Sequence, residues 1–279
     1  MRYTYGVLDK VIGVQPSPGL CIGDDMMTNF TIKTDNLQNF LNSLGKDLAD
    51  VVINVNDNGI SAEVGRDTHY IKRSMDCGVT KTGSINISDL PKCKSFLNTC
   101  KKVEVSVTQN SRTGTLHIRT DGTSLQLPTS SYIQSQDKVG LISKLIKQSQ
   151  ENMWQTWHSQ KLNYHAKVSG DSLKPATNFS KVLGGKFACK TEFDPQGKEL
   201  VIRGGTKSKG TMFVKAPLFD IASPSISAKS AFDSWLPELL NNLPRGDLYI
   251  YTGDETVLVL EQPETNFLMV VIDQEYEED

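Results

Sequence analysis

Histidine, cysteine and carboxylate side chains most often perform catalysis or hold metals, and their spacing in this sequence indicates neither. The four histidines lie in no nucleophile–base motif, which would need a Ser or Cys beside a histidine oriented by an acid. The five cysteines lack CxxC or other metal-ligand spacing, and acid pairs such as Asp24-Asp25 have no accompanying ligand motif. We therefore predict no catalytic residue, no metal site and no cofactor.

Two glycine-rich stretches could in principle hold phosphates. Gly184-Gly185-Lys186 and Gly204-Gly205-Thr206-Lys207 lack the GxxxxGK[ST] order that wraps a phosphate chain. We interpret the first as the end of a helix and the second as a hairpin. A chain of 279 residues without a legible catalytic motif favours a binding or scaffolding role, so we do not expect an enzyme.

Charge is distributed unevenly along the chain. The formal net charge is only -2, whereas simple nucleic-acid-binding domains usually carry a positive excess. Residues 138–186 nevertheless contain eight lysines against two acids, and the last seven residues contain five acids. Two interpretations remain open: surfaces of opposite sign on one molecule, or an ordinary solvated face and a frayed tail.

The sequence lacks export and membrane features. No apolar run approaches the ~20 residues that cross a bilayer. The start of the chain also lacks the order of a signal peptide. With an odd number of cysteines, this predicts a soluble intracellular protein with reduced thiols.

Most of the sequence has the alternation of β-strands. Residues 50–56 and 60–65 flank the turn Asp57-Asn58-Gly59 and predict a hairpin, and residues 103–108 and 115–120 predict another. Helical periodicity appears in four segments, which begin at Thr34, Ser88, Asp171 and Ser230. Each helix is followed by strands, so one unit recurs four times.

This recurrence predicts two similar domains. The boundaries are an N-terminal extension at 1–28, a first domain at 29–134, an interdomain linker at 135–159, and a second domain at 160–279 with an acidic tail. The apolar spacing in the linker suggests an additional amphipathic helix, formed by Val139, Leu141, Ile142, Leu145 and Ile146.

Several segments resemble DNA sliding clamps, the family of proliferating cell nuclear antigen and the trimeric phage clamps. Residues 30–44 resemble the opening strand and first helix, 52–71 the next hairpin, and 85–97 the second strand-to-helix step. Residues 248–272 and the acidic tail resemble the closing strands. The resemblance implies an α+β fold of two similar clamp domains, each with antiparallel sheets outside and two short helices on the inner face.

The resemblance implies a function as well. A homotrimeric ring would encircle double-stranded DNA without sequence preference and tether a DNA polymerase, with a clamp loader and other replication or transcription proteins as further partners. The extension and the basic linker favour a viral or phage clamp. Such a protein would work in the host cytoplasm if a phage encodes it, or in the nucleus of a eukaryotic system.

Cationic residues on or near the helices are the candidates for contacting DNA phosphates, which give affinity without sequence information. They are Lys46, Lys92, Lys94, Lys101, Lys102, Lys144, Lys147, Lys174, Lys181, Lys186, Lys229 and Arg245. Apolar side chains on the same segments, Val182 among them, would pack on the sheet.

Two further sites follow from the resemblance. Ring closure would pair edge strands of neighbouring subunits, with Leu116, Ile118, Val201 and Arg203 at the interface. A pocket for partner peptides would lie between the linker and the C-terminal strand. Its residues would be His69, Tyr70, Ile71, Val270, Val271 and Ile272.

Three other functions stay open from the sequence. A monomeric viral processivity factor could hold DNA on one basic face, for which the lysines of 138–186 are the best support. A DNA-binding transcription coactivator could share the clamp-like fold. A structural β-rich virion protein would carry the lysines as solvated surface only.

Overall fold

A computed structural model of the chain describes residues 27–45, 48–100, 103–142, 146–148, 154–156, 161–162, 164–184, 187, 189–194, 196–206, 208, 210–222, 228–232, 235–253 and 257–272. The predictions for Lys46, Lys101, Lys102, Lys144, Lys186, the extension up to residue 26 and the acidic tail lie outside these residues.

Antiparallel strands dominate the described chain. In the first half the strands are β1 Met27–Lys33, β2 Val51–Asn56, β3 Gly59–Gly65, β4 His69–Asp76, β5 Gly78–Lys81, β6 Gly83–Ile87, β7 Glu104–Asn110, β8 Thr115–Arg119 and β9 Ser124–Pro128. Those that follow are β10 Ile146–Gln148, β11 Trp154–Thr156, β12 Tyr164–Ser169, β13 Cys189–Asp194, β14 Glu199–Thr206, β15 Gly210–Phe219, β16 Ala228–Phe232, β17 Asp247–Thr252, β18 Val257–Gln262 and β19 Phe267–Ile272.

The helices are short. They are α1 Thr34–Ser43, α2 Leu90–Thr99, α3 Val139–Ile142, α4 Gly170–Leu173, α5 Phe179–Leu183 and α6 Trp235–Leu240, with 3-10 turns at Gln134–Gln136, Lys174–Asn178 and Pro263–Thr265. Within the described ranges, none is long and apolar enough to cross a membrane.

Two large sheets carry α1, α2, α4, α5 and α6 on one face. One has the strand order β5-β1-β7-β8-β9, and the other runs β16-β13-β14-β15-β12-β17-β18-β19-β4-β3-β2-β6. The larger sheet joins the two halves of the chain, because β19 pairs with β4 from Phe267 opposite Arg73 to Val271 opposite His69. The main hydrophobic core lies between the helices and these sheets and includes Phe40, Leu97, Phe179 and Phe232. This arrangement confirms the predicted α+β class.

Local sequence fixes the predicted hairpin between β2 and β3. Asn58 donates its N–H to Asn56 Oδ1 at 3.1 Å, which closes the turn. Gly59 has a φ of +149°, and a Cβ atom there would lie 2.3 Å from the Met75 carbonyl oxygen. Only glycine meets both conditions, so the turn and the close approach of β4 depend on this residue.

The third predicted helix is interrupted. Pro175 has no N–H to donate to the carbonyl of Asp171 and its ring crowds that carbonyl. The chain therefore leaves α4 through the 3-10 turn Lys174–Asn178 before α5 begins. The prediction of a fourth helix from Ser230 is wrong at its start, because Ser230 and Phe232 lie buried on β16, opposite Thr191 and Cys189 of β13.

Among the described residues of the linker, the α-helix α3 is followed by the hairpin of β10 and β11, so Ile146 of the predicted helix lies on a strand. Leu145 lies outside the described residues. The first part of the linker is anchored to the first half of the chain. The Asp50 carboxylate accepts the N–H groups of Gln134 at 2.8 Å and Ser135 at 3.0 Å. A Cβ at Gly65 would lie 2.5 Å from the Val139 nitrogen, so α3 packs directly on β3.

Candidate functional site

The helix α2 presents Lys92 to solvent at its first turn. Asp89 caps this helix by accepting the backbone N–H of Lys92 at 3.0 Å, and Pro91 occupies a first-turn position where no N–H is needed. The Lys92 ammonium lies 2.8 Å from the Asp89 carboxylate, and its side chain is 71% exposed. The hydrogen bond from the Lys92 side chain lowers the pKa of Asp89. The cap therefore also neutralises part of the lysine's charge.

Lys94 ties the two helices of the first half together. Its ammonium donates to the Gly45 carbonyl, just beyond α1, at 2.9 Å. Gln38 of α1 donates to Asn98 of α2 at 2.9 Å. Lys94 is half-buried and so has a structural partner as well as a positive charge on this face.

The second half repeats the pairing of an acid with a lysine three residues later. Asp171 of α4 binds the Lys174 ammonium. This contact, together with Arg245 beyond α6, lowers the pKa of the Asp171 carboxyl. Arg245 therefore lies close enough to Asp171 to act on its charge, while Lys181 lies exposed on α5.

The helix face is thus mixed in charge. Its described cations are Lys92, Lys94, Lys174, Lys181 and Arg245. Acidic side chains lie among them, at Asp35, Asp89, Asp171 and Glu238. On α1 the exposed positions are the acid Asp35 and the amides Asn36, Asn39 and Asn42, so this helix offers no cation there. Such a face can contact phosphates, but the acids offset most of its positive charge, so it would attract DNA only weakly.

Three residues lie elsewhere than predicted. Lys229 is on strand β16, opposite Glu192 and 3.4 Å from its carboxylate, on the face of the sheet away from the core. It cannot join the helix face, because alternation directs its neighbours Ser230 and Phe232 inward. Val182 is 64% exposed on α5 and does not pack on the sheet. Lys147 lies on β10 of the linker hairpin and not on a helix of this face.

The predicted interface residues are not on edge strands. Leu116 and Ile118 lie on β8, which pairs with β7 and β9 along its whole length. Val201 and Arg203 lie on β14, which pairs with β13 and β15. Leu116 and Ile118 are also buried in the main core. The assignment of these four residues to an open edge was wrong, since alternation identifies strands and does not reveal which ones are outermost.

An open edge lies one strand further along in each half, in addition to the sheet ends at β5, β6 and β16. Among the described residues, β9 has a partner on one side only. β15 pairs along β14, but on its other side it meets β12 only through Leu218 and Phe219. Core-facing side chains at both edges are only partly buried, namely Leu125 on β9 and Met212 and Val214 on β15.

Hydrogen-bond alternation identifies which groups these edges offer. The Thr129 N–H donates to the Gly114 carbonyl and the Thr120 N–H to the Thr123 carbonyl, so Ser124 and Gln126 direct their backbone polar groups to the open side of β9. Pro128 has no N–H, and its carbonyl accepts the Ser88 hydroxyl. On β15 the Leu218 N–H donates to the Lys198 carbonyl, so the even-numbered residues of this strand face β14. The backbone groups of residues 211, 213, 215 and 217 therefore face the open side. A proline, Pro128 or Pro217, ends each row.

A second, smaller apolar cluster lies on the opposite face of the large sheet, beneath the linker. It is formed by residues of β4, β18 and β19 together with Trp154 of the linker and Leu162 just after it. Its buried members are Tyr70, Trp154, Leu162, Val257, Val259 and Val270. Val139, Tyr251, Leu268 and Ile272 pack against it. The prediction of an apolar site between the linker and the C-terminal strand corresponds to this place.

The six predicted pocket residues divide between the two faces. Tyr70, Val270 and Ile272 belong to the cluster under the linker. Ile71 and Val271 lie in the main core, on the helix side, and His69 shares their side of the sheet by alternation. Placing His69, Ile71 and Val271 in the pocket was therefore wrong, because consecutive strand residues point to opposite faces.

Burial holds one histidine and two cysteines of the described chain in their neutral forms. Burial, reinforced by the charge of Arg66, lowers the pKa of His69 to about 4. Burial raises the pKa of the Cys93 and Cys189 thiols to about 12. No three His, Cys, Asp or Glu side chains within the described ranges come together as a metal site.

Sequence reasoning missed Trp154 of the linker, Leu162 just after it, and the β18 residues Val257, Val259 and Glu261. The two tryptophans of the linker, Trp154 and Trp157, were one indication available beforehand. The other was the unbroken apolar run from Val257 to Leu260, which is typical of a strand covered on both faces. All four of these residues are buried on β18.

No protein-family profile matches the sequence, and a comparison with curated protein sequences gives no match. Solved structures are similar. The DNA polymerase III beta subunit of Thermotoga maritima has a TM-score of 0.64 at 10% identity, over 96% of this chain and 69% of the other. A. fulgidus PCNA bound to the C-terminal region of FEN-1 has a TM-score of 0.63 at 9% identity, over 90% of this chain and 100% of the other.

The Helicobacter pylori beta clamp bound to a DNA ligase peptide has a TM-score of 0.57 at 13% identity, over 90% of this chain and 68% of the other. The chain thus spans about two thirds of the bacterial clamp chains and the whole A. fulgidus PCNA chain. Together with the helix layer on antiparallel sheets, these likenesses show that the chain has the fold of the DNA sliding clamps.

Proposed function

We propose that the protein is a DNA sliding clamp without catalytic activity, which closes into a ring around duplex DNA and tethers a DNA polymerase. The observation that carries the proposal is the pair of open strand edges. β9 and β15 each offer a short row of unpaired backbone groups next to partly buried core side chains. Pairing β9 of one copy with β15 of the next would satisfy both rows and complete both cores.

Head-to-tail pairing of this kind closes a ring when the rotation between copies divides a full turn. We propose three copies, the number that the clamp resemblance implies for a two-domain chain. The likeness to A. fulgidus PCNA over that chain's full length supports this number.

The mixed charge of the helix face supports a ring rather than an open processivity factor. A monomer must hold DNA by attraction alone, and Asp89 and Asp171 partly neutralise Lys92 and Lys174. A ring needs little attraction, because it is held by topology. Its phosphate contacts would be weak, independent of sequence and compatible with sliding.

The test compares retention on circular and linear DNA. The protein, with a loader if it needs one, is placed on nicked circular DNA and washed at high salt. We expect it to stay on the circle and to leave once the circle is cut. Release from both forms at the same salt concentration would identify an open DNA-binding protein.

Polymerase stimulation is measured on the same circles, with ATP hydrolysis and DNA degradation as parallel assays. We expect longer products and neither activity from the clamp itself. Turnover that survives repurification, and that a point mutation abolishes, would contradict the non-enzymatic proposal.

A further inference from the structure

The linker hairpin places one aromatic side chain against the outer face of the large sheet. Trp154 lies on β11, opposite Gln148 of β10. Its carbonyl accepts the N–H of Leu162 at 2.9 Å, and its side chain is buried to 9% exposure. The indole N–H donates to Glu261 Oε2 at 3.3 Å. Trp154 is therefore held at three points.

The strands beneath it form a continuous apolar floor. Register places Val259 of β18 opposite both Tyr251 of β17 and Val270 of β19, and Val270 opposite Tyr70 of β4. These four side chains share one face of the sheet. Trp154 and Leu162 cover them, and α3 adds Val139 at the margin. We call this floor, together with Glu261, the outer groove.

The outer groove has one polar group that selects its occupant. Glu261 accepts hydrogen bonds from Trp154 and from the Tyr251 hydroxyl. A carboxylate beside an apolar surface is costly to cover unless the covering group donates to it. An occupant therefore needs an aromatic ring for the floor and an N–H or O–H at the edge of that ring.

Resting on the proposed clamp function, we propose that Trp154 occupies the docking groove for partner peptides, and that a partner binds by displacing it with its own donor-bearing aromatic residue. The outer groove is then self-blocked in the free protein. The partner class is a short peptide with a Trp or Tyr whose ring donor replaces the indole at Glu261.

Self-occupation sets the apparent affinity. The linker residue is tethered, so its effective concentration at the groove is high, and a peptide in trans binds only to the open fraction. Removing the indole makes every molecule open. Trp154→Ala should therefore bind a competing aromatic peptide at least about tenfold more tightly than the wild type, if the open fraction is below about a tenth.

The probe is a fluorescent peptide that copies residues 146–162 of this chain, used with the full-length protein. We expect it to bind Trp154→Ala and to bind the wild type at least about tenfold more weakly. A matched peptide with Ala in place of Trp154 should bind neither protein. Adding Glu261→Gln to Trp154→Ala should weaken binding by about fivefold, because a charge-assisted hydrogen bond becomes a neutral one.

Tyr132→Ala is the matched control on the chain, because this aromatic residue just before the linker is 64% exposed and lies outside the outer groove. It should leave peptide binding at the wild-type level. Circular dichroism and thermal melting establish that each variant is folded. If Trp154→Ala does not fold, Trp154→Phe takes its place. It keeps a ring but loses the donor to Glu261, and should bind the peptide more tightly than the wild type.

Equal binding of the peptide to wild type and variant, or binding to neither, would overturn the proposal, as would equal binding of the matched Ala peptide. Retention of Trp154→Ala on circular DNA separates this result from the clamp function. A retained ring with no gain in peptide binding contradicts self-blocking alone. Failure of both wild type and variant to stay on circles contradicts the clamp proposal.

Discussion

The two halves of the chain build the same helix-on-sheet layer, but their helices differ greatly in length and regularity. In the first half, α1 and α2 each run for ten residues, and Asp89 caps α2. In the second half, α4 and α5 are four and five residues long and flank a 3-10 turn, while α6 has six. Neither α4 nor α5 has a side-chain cap.

Despite this difference, each layer has a phenylalanine that is completely buried. Phe40 of α1 and Phe179 of α5 are each 0% exposed. An isolated helix of five residues is unstable in water, so α5 must be held by packing on the sheet and not by its own propensity. The fold therefore depends mainly on the sheets, and packing on the sheets holds the short helices in place.

If sheet edges govern assembly, breaking one edge should have the largest effect. Gln126→Pro removes an N–H from the open side of β9 and leaves the ladder to β8 intact. We expect the ring to dissociate to monomers and retention on circular DNA to be lost. Sedimentation and native mass measurement would show this directly.

Gln126→Ala is the matched control, because it keeps the N–H and should keep the oligomer. Ile118→Pro is informative for the opposite reason. It lies inside the sheet, so it should unfold the first half rather than release an intact subunit. A Gln126→Pro protein that stays oligomeric would place the subunit contact elsewhere.

The next prediction tests whether packing on the sheet holds the broken helix. A Cβ at Gly204 of β14 would lie 2.6 Å from the Phe179 ring. Phe179→Ala should cost about 3–5 kcal/mol of unfolding free energy, and Gly204→Ala about 1–3 kcal/mol. The double variant should cost less than the sum, because the new methyl enters the space that the ring has left.

Chemical denaturation of the four proteins supplies the coupling energy. If the two losses of unfolding free energy add exactly, the Phe179 ring and a methyl group at position 204 do not interact. Phe40→Ala gives the comparison with the regular helix α1, and a similar cost there would show that helix length does not set the contribution of the buried ring.

The junction between the halves supplies a pH-dependent test. His69 of β4 lies opposite Val271 of β19, and its pKa is lowered to about 4 by burial and Arg66. The pKa of His69 is lower in the folded than in the unfolded protein, so between pH 6.5 and 4 the unfolded chain binds a proton that the folded protein does not. The contribution of His69 to stability is therefore intact above pH 6.5 and is lost as pH falls toward 4. Unfolding free energy should fall by up to about 1.4 kcal/mol per pH unit across this window.

Stability measured between pH 7.5 and 4.5 in wild type and His69→Gln would check this. The variant cannot take up a proton there, so the difference between the two proteins should shrink as pH falls. A constant difference would mean that His69 is not held neutral. Loss of the junction before either half unfolds would appear as a separate transition.

These contrasts also mark what could be predicted from sequence. The turn at Asp57-Asn58-Gly59, the alternation of β7 and β8, and the opening of a helix at Ser88-Asp89 are local, and the structure has all three, with Asp89 as the cap of α2. Edges and faces depend on which distant strands pair. Two neighbouring residues, Val270 and Val271, therefore entered one predicted pocket although the sheet places them on opposite faces.

The smallest expected effect separates capping from charge on the helix face. Asp89 both caps α2 and pairs with Lys92, whereas Asp171 pairs with Lys174 without capping its helix. Asp89→Ala should cost about 1 kcal/mol of stability through the lost cap. Asp171→Ala should cost almost nothing, because an exposed ion pair of this kind contributes little.

DNA binding should respond in the same direction in both variants. Each substitution removes an acid that neutralises a lysine, so each should strengthen binding of linear duplex at low salt. Every additional phosphate that the protein neutralises steepens the dependence of log affinity on log salt by about 0.9. Affinity titrations at several salt concentrations, together with melting curves, check both halves of the prediction. Tighter binding by Asp171→Ala at unchanged stability would assign Lys174 to the DNA-contacting surface. Unchanged affinity and slope would exclude Lys174 from that surface and leave Lys181 and Arg245 as the cations of the second half that remain there.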